Sequence, residues 1–379
     1  MKPYHFPLID LLNENHDYSP FTNHQYVAEL KERMANMFAS FGMDISILDC
    51  MSNKYCILLK LKLGGGLTPK SIRKLKKDIE VTADGNCVDF MDGPDGQSIT
   101  AAIKNVERPK IVLREIISGS AFKEAESRLS IAAGTNLFAG DMVFDLAALP
   151  NLIVLGVTGA GKTNFLNVII LSILYKARPD EVKFAMIDTK GVDLPLLNGI
   201  PHMAFDAANN ASDGLKILKW MLNESTERLM LMNQKKTETL DEYNRYTKEK
   251  KPRYVLMIDE YADFKEKCDE YIDGMVIDIA KNSARTGIHV VLATQSARED
   301  HLSPEIKSAI PGRACLVVAD KRELKIAVDR TGERVLAGSG DMIFTKNEND
   351  RGVRLQAALA TDKEIDAVAH FLRNEQMTE

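Results

Sequence analysis

The run Gly156-Val157-Thr158-Gly159-Ala160-Gly161-Lys162-Thr163 fits G-x-x-x-x-G-K-[ST] and lies between the apolar strand Leu152–Leu155 and the apolar helix Asn164–Tyr175. Few folds accept that order. A buried strand, a glycine-rich turn and a buried helix in succession make the first half of a βαβ unit. The glycines let the backbone close around phosphates with its N–H groups inward, and the helix N-terminus adds positive potential. Lys162 is expected to reach the β/γ-phosphates of ATP, and the Thr163 hydroxyl to take a Mg2+ coordination position. Gly156, Thr158, Gly159, Ala160, Gly161, Lys162, Thr163 and Asn164 are the candidate nucleotide contacts. The competing reading is a glycine-rich turn without a ligand.

The rest of the chain supports a large domain around this unit. Strands are expected at Met142–Leu146, Lys183–Ile187, Arg253–Ile258, His289–Ala293, Cys315–Val318 and Met342–Phe344, with a long helix at Leu215–Met232. Strands alternating with helices indicate α/β, a mostly parallel sheet with helices on both faces. Thr361-x-x-Glu364 is a capping box opening a last helix. Before residue 118 the texture differs. An amphipathic helix carries Val27, Leu30, Met34, Met37, Phe38 and Phe41, and the run Tyr55–Leu63 alternates as a strand. Gly64-Gly65-Gly66 breaks it, and Thr68-Pro69 reads as an N-cap with proline at N1 before a basic helix Ser71–Ile79. Residues 1–118 are read as a small α+β module and 119–379 as the domain with the nucleotide loop.

A length of 379 residues suits two or three domains, and 45% hydrophobic with 27% charged residues excludes a disordered chain. The net charge of −5 provides no global basic field, so any DNA contact needs basic residues gathered on one surface. Five scattered cysteines show no metal-ligand spacing and fit a reducing, cytoplasmic setting, with Cys56 and Cys315 expected as buried thiols. The N-terminus lacks the apolar core of a signal peptide, and no stretch has the length of a membrane span.

Two further elements bear on phosphate chemistry. Tyr254–Ile258 is apolar and ends in Asp259-Glu260, where one acid can hold a metal and the other polarise water. Alone, such a pair reads as a solvated strand end; the upstream loop favours the catalytic reading. Thr294-Gln295 ends the strand His289–Ala293, where a polar group senses a γ-phosphate, holds water or has no role.

Seven segments in one order carry a resemblance: LPNLIVLGVTGAGKT (149–163), FAMIDTKGVDL (184–194), NGIPHM (198–203), YVLMIDEYADF (254–264), ARTGIHVVLATQ (284–295), IKSAIPGRACLVV (306–318) and GSGDMIF (338–344). The chain resembles the motor region of the FtsK/SpoIIIE family of DNA translocases from about Tyr4 to the last helix. The resemblance implies a RecA-like P-loop NTPase core, the family's β subdomain, preceded by its α subdomain. It implies a homo-oligomer, a hexameric ring that hydrolyses ATP and pumps double-stranded DNA through a central channel. The family's lysine falls on Lys162 and its acidic pair on Asp259 and Glu260, with Thr163 and Asp259 on the metal side. The arginine acting on a neighbouring subunit falls on Arg285, and a second trans-acting basic residue on Lys321. From its sequence setting alone, Arg285 also suits a surface salt bridge.

Departures from the family pattern are visible. Ser296-Ala297 replaces the common Arg-Pro after the ATQ, with Arg298 displaced by two positions, and Asp188-Thr189-Lys190 replaces Asp-Pro-Lys. The segment 320–333 diverges. Arg298 and Lys307 are the candidate DNA-phosphate contacts, against a reading as solvated loop charges. The basic helix after Thr68 is either a DNA-facing stripe or a solvated face. The family's membrane segment and winged-helix γ domain are absent from this chain, which reads as a stand-alone translocase or a motor fragment. The alternative function is an FtsK-like ATPase of a secretion or conjugation system that moves protein or couples DNA to a membrane pore.

Overall fold

The computed structural model describes residues 4–15, 23–52, 56–93, 95–104, 110–136, 138–191, 194–268, 271–298, 301–319, 323, 336, 338–347, 350 and 352–377. Two compact units emerge, residues 15–110 with 137–140, and the remainder.

The smaller unit is an antiparallel sheet in the order β1-β2-β4-β3, formed by β1 (Ile45–Ser52), β2 (Cys56–Leu63), β3 (Val88–Asp92) and β4 (Ser98–Lys104). In β2, Leu59, Leu61 and Leu63 are buried while Lys60 and Lys62 are exposed, the period of two of a strand with one covered face. Helix α1 (His24–Ser40) covers that face with Leu30, Met34 and Phe38. The basic segment forms two helices rather than one, α2 (Pro69–Lys74) and α3 (Lys76–Thr82), separated at Leu75. Ile72 and Ile79 are buried, and Arg73, Lys74, Lys76 and Lys77 stay exposed. Pro69 stands in the first turn as expected, but the Thr68 hydroxyl meets Ser71 Oγ at 3.3 Å and caps no backbone N–H.

The larger unit begins with α4 (Leu113–Ser118) and α5 (Ser120–Lys123), which pack on β5 (Ser130–Asn136). Leu113 N–H donates to Leu359 O, and Leu359 N–H to Ile111 O. These bonds tie residues 111–118, read from the sequence as the end of the leading module, into the larger unit. Its other strands are β6 (Gly140–Asp145), β7 (Asn151–Leu155), β8 (Val182–Asp188), β9 (Arg253–Asp259), β10 (Ile288–Thr294), β11 (Gly312–Cys315), β12 (Asp341–Thr345) and β13 (Val353–Ala357). They form one sheet in the order β6-β5-β13-β12-β11-β7-β10-β9-β8. The strands from β11 to β8 are mutually parallel; β12 and β13 continue the sheet antiparallel, and β13 pairs antiparallel with β5. This is the mostly parallel α/β architecture expected. Strand β11 starts earlier than its apolar run suggests, while Leu316 N–H still bonds Leu155 O. At Gly134, a Cβ would lie 2.0 Å from Gln356 O, so only glycine fits the β5–β13 crossing.

Helix α6 (Lys162–Leu174) is buried along its whole length from Phe165, as an all-apolar helix must be. Helices α7 (Ala211–Lys235), α8 (Leu240–Arg245), α9 (Tyr261–Lys267), α10 (Asp273–Thr286) and α11 (Pro304–Ala309) come next along the chain. Asn151, buried at the start of β7, locks α10 to β10: its Nδ2 donates to Ala280 O at 2.9 Å, and its Oδ1 accepts from Ser283 Oγ at 2.7 Å and Val290 N–H at 2.9 Å. The capping box is reciprocal, with Thr361 N–H on Glu364 Oε2 at 2.7 Å and Glu364 N–H on Thr361 Oγ1 at 3.3 Å. Cys56 and Cys315 are buried, and burial pushes the Cys315 thiol up to about 12. Among the described residues no helix is long and apolar enough to cross a membrane.

Two histidines are buried neutral. His289 Nδ1–H donates to Pro150 O at 2.9 Å and its Nε2 accepts from Arg253 at 3.3 Å; His202 Nε2–H donates to Ala177 O at 3.0 Å. Burial pushes both down to about 4. In the unfolded chain they take protons below about pH 6.5, which the folded chain refuses until about pH 4. Their contribution is therefore full above pH ~6.5 and is lost as the pH falls toward 4. Urea unfolding should show a loss of roughly 2 kcal/mol per histidine between pH 7 and pH 5. A variant lacking both rings should lose that part of the slope.

Candidate nucleotide site

The loop after β7 is shaped by Gly159 (φ +78°) and Gly161 (φ +106°), both in the left-handed region. Gly161 caps α6, and Phe165 N–H donates to Gly161 O at 3.0 Å. The N–H groups ahead of Phe165 have no acceptor within the helix, which makes this end a place for an anion. The loop is tied to its neighbours: Gly156 N–H donates to Thr294 O at 3.2 Å and Val157 N–H to Val317 O at 2.8 Å. Lys162 folds over the loop, donating from Nζ to Gly156 O at 2.7 Å. Burial lowers its pKa, while the Glu260 and Asp259 carboxylates pull it back up.

Those acids stand at the end of β9. Asp259 pairs in register with Asp188 at the tip of β8, and both are buried. Asp188 closes its own turn by accepting from the N–H groups of Lys190 and Gly191. Glu260 holds φ 54 and ψ 65 between β9 and α9. A left-handed non-glycine residue costs about 1–3 kcal/mol, and such strain gathers at functional positions. The Glu260 carboxylate is buried and gripped on both oxygens. Gln295 N–H donates to Oε1 at 3.2 Å, and Gln295 Nε2 to Oε2 at 2.7 Å. Lys190 Nζ stands 3.4 Å from Oε2. Gln295 Oε1 accepts from Thr158 Oγ1 at 3.2 Å, which links the phosphate loop to the acid. Thr294 Oγ1 is buried with no hydrogen-bond partner among the described residues.

The structure therefore brings Thr158, Lys162, Asp259, Glu260 and Gln295 to one edge of the sheet. Asn164 is spent differently: its Nδ2 donates to Ala358 O at 2.7 Å and its Oδ1 accepts from Ala360 N–H at 2.8 Å. Its side chain pins the segment after β13, leaving only its backbone to the loop. Arg285, exposed in the last turn of α10, donates to Glu238 O at 3.3 Å. It precedes the start of β10, whereas Thr294 at the other end of that strand meets Gly156. A strand of seven residues spans about 23 Å, so Arg285 is out of reach of its own chain's loop. Arg298 is exposed just beyond Gln295, and Lys307 lies on α11. Lys321 falls outside the described residues. Lys190 escaped the sequence reading as a site residue, although Asp188-Thr189-Lys190 ends a buried strand beside the acid strand.

Comparison with known proteins matches the FtsK/SpoIIIE family profile to residues 112–348, more than half of the chain. The chain belongs to the FtsK/SpoIIIE family. A DNA translocase FtsK of Clostridium acetobutylicum is 30% identical over 98% of this chain and 50% of its own length. One of Clostridium tetani is 28% identical over 99% of this chain and 52% of its own length. The chain thus spans about half the length of the curated relatives it matches. Among solved structures, the pCW3 conjugation coupling protein TcpA, in monomer form with ATPγS, superposes with a TM-score of 0.61 at 17% identity, covering 92% of this chain and 99% of that one. EssC (ATPases 2 and 3) from Geobacillus thermodenitrificans gives 0.60 at 18% identity, over 71% of this chain and 51% of that one. These likenesses establish the P-loop ATPase fold of this FtsK/SpoIIIE member.

Asn164→Ala should cost about 1–3 kcal/mol of stability, by stranding Ala358 O and Ala360 N–H, and leave nucleotide affinity within about two-fold. Denaturant unfolding and titration with a fluorescent ATP analogue check the two halves.

Proposed function

We propose that this chain is an ATP-driven motor for double-stranded DNA that works as a ring of identical subunits, a hexamer by family resemblance, with ATP hydrolysed at the subunit junctions. The observation that carries the chemistry is a buried Glu260 carboxylate, strained in its backbone and linked through Gln295 to Thr158 of the phosphate loop. The DNA translocase relatives support the cargo. In this reading the smaller unit, residues 15–110 with 137–140, acts as the α subdomain and the larger unit as the motor, in the cytoplasm.

Lys162 leaves the Gly156 carbonyl for the β/γ-phosphates, and Glu260 and Asp259 offset part of the lowering that burial imposes on its pKa. Glu260 orients the attacking water and takes its proton as the γ-phosphoryl is displaced from ADP. Thr163 and Asp259 offer hard oxygen ligands for Mg2+, which supplies charge to the phosphate oxygens. Among the described residues no cluster of three His, Cys, Asp or Glu forms a metal cage, in keeping with an ion that arrives on phosphates. Arg285 serves the neighbouring subunit's γ-phosphate, where a planar, permanent charge suits the transition state. Lys321 acts across the same junction. Arg298 and Lys307 contact DNA phosphates, giving sequence-independent affinity that weakens with salt.

Lys162→Ala should abolish ATP binding or turnover, and Glu260→Gln should bind ATP while turning over at least about 100-fold more slowly. Wild-type ATPase in either variant overturns the site. Arg285→Ala should be inactive alone and partly rescued on mixing with Lys162→Ala subunits; with assembly intact, no rescue at any ratio removes the trans role. Long duplex DNA should stimulate the wild-type ATPase and support triplex displacement. Turnover indifferent to DNA would reassign the cargo.

A further inference from the structure

We propose that Glu323 is a positioning residue for hydrolysis: its buried carboxylate anchors the turn after β10 and so holds Gln295 against Glu260. The inference rests on the reading of Glu260 as the group that orients water. Glu323 is 6% exposed. Its Oε1 accepts from the Ser296 hydroxyl and from Ala297 N–H at 3.0 Å, and its Oε2 from Ala319 N–H at 3.3 Å. One carboxylate thereby joins the turn after β10 to the stretch leaving β11. That stretch already holds the phosphate loop, through Val317 O on Val157 N–H.

The anchored residues flank the catalytic contact. Gln295, immediately before Ser296, places its backbone N–H on one oxygen of Glu260 and its amide on the other. A shift of the Ser296 backbone therefore moves both bonds together. On the other side, Ser296 Oγ accepts from Arg298 N–H at 3.3 Å, so the same anchor sets the start of the loop proposed to meet DNA. A buried carboxylate is tolerated only when hydrogen-bonded, and hydrogen bonds to a charged acceptor are the strong ones. Releasing this anchor is thus costly, which suits a fixed support.

The anchor also accounts for a departure from the family pattern. Where the family resemblance leads one to expect Arg-Pro, this chain has Ser296-Ala297. Proline at 297 has no N–H to donate, and arginine at 296 has no hydroxyl. Two of the donors to Glu323, the Ser296 hydroxyl and Ala297 N–H, would be lost with Arg-Pro at these positions. Glu323 and the Ser296-Ala297 pair, far apart along the chain, therefore meet in one contact.

The test compares wild type, Gln295→Ala, Glu323→Ala and the double variant. Glu323→Ala should lower kcat about tenfold or more with KM for ATP changed less than about two-fold, the loss expected from misplacing a catalytic group. The double variant should be no slower than Gln295→Ala, because both act through one contact. Wild-type kcat in Glu323→Ala, or losses that multiply in the double, overturns the proposal. Amide exchange provides a readout independent of turnover. The N–H groups of Gln295 and Ala297 should exchange faster in Glu323→Ala while those within α6 keep their protection; unchanged exchange at 295–297 also overturns it. If the alanine protein does not fold, Glu323→Gln, which keeps the shape but halves the acceptors, should show the same changes to a smaller degree, and wild-type rate and exchange there count against the anchor. A wild-type protein without ATPase would end the proposed function, leaving exchange to decide the anchor by itself.

Discussion

The shared edge at which β7, β9 and β10 end is the constraint behind the site. Parallel pairing places Leu155 opposite Thr294, and Leu292 opposite Ile258, so three strand tips open on one side of the sheet. The segments that leave those tips then meet in space: the glycine loop, the Asp259-Glu260 pair and Gln295. The Gly156 N–H on Thr294 O is the smallest expression of that pairing, and it fixes the loop to the strand that carries Gln295. Helix α6 can be apolar on every side because sheet and neighbouring helices enclose it, and its N-terminus is held still under the loop.

The same topology explains why one residue faces away. In a parallel α/β unit the helix before a strand ends at the edge where the strand begins. Arg285 therefore stands at the far edge from Lys162, with Asn151 tying α10 to β10 and β7 at that end. Near the loop the logic is opposite in sign. Half-buried Lys162 lies in the field of two carboxylates that oppose the effect of its burial, and buried Glu260 is tolerated because Gln295 and Lys190 satisfy it. Charges that would each be costly alone are stable as a set.

Much of this was legible in the order of residues. The glycine loop, Asp259-Glu260 and the ATQ end of β10 announce themselves because each is a polar break after an apolar run, and such breaks mark strand tips. The central strands were readable because burial on both faces leaves continuous apolar runs. The wing was not: β5 (SIAAGTN) and β13 (VRLQA) are short and mixed in character, and exist as strands through their pairing with each other and with β12. The basic segment breaks at Leu75, which no glycine or proline marks. Asn164 sits within the motif, yet its side chain turns to residues 358–360, nearly two hundred positions away.

The sequence by itself determined the phosphate loop, the acids and the alternation of apolar strands and helices, because these depend on residue type and near neighbours. Only the tertiary structure decided that Gln295 clamps Glu260, that Lys190 joins it, that Glu323 braces the turn beside it, and that Arg285 lies out of reach. Each of these is a contact between strand ends or turns far apart along the chain, and distance in sequence carries no record of distance in space.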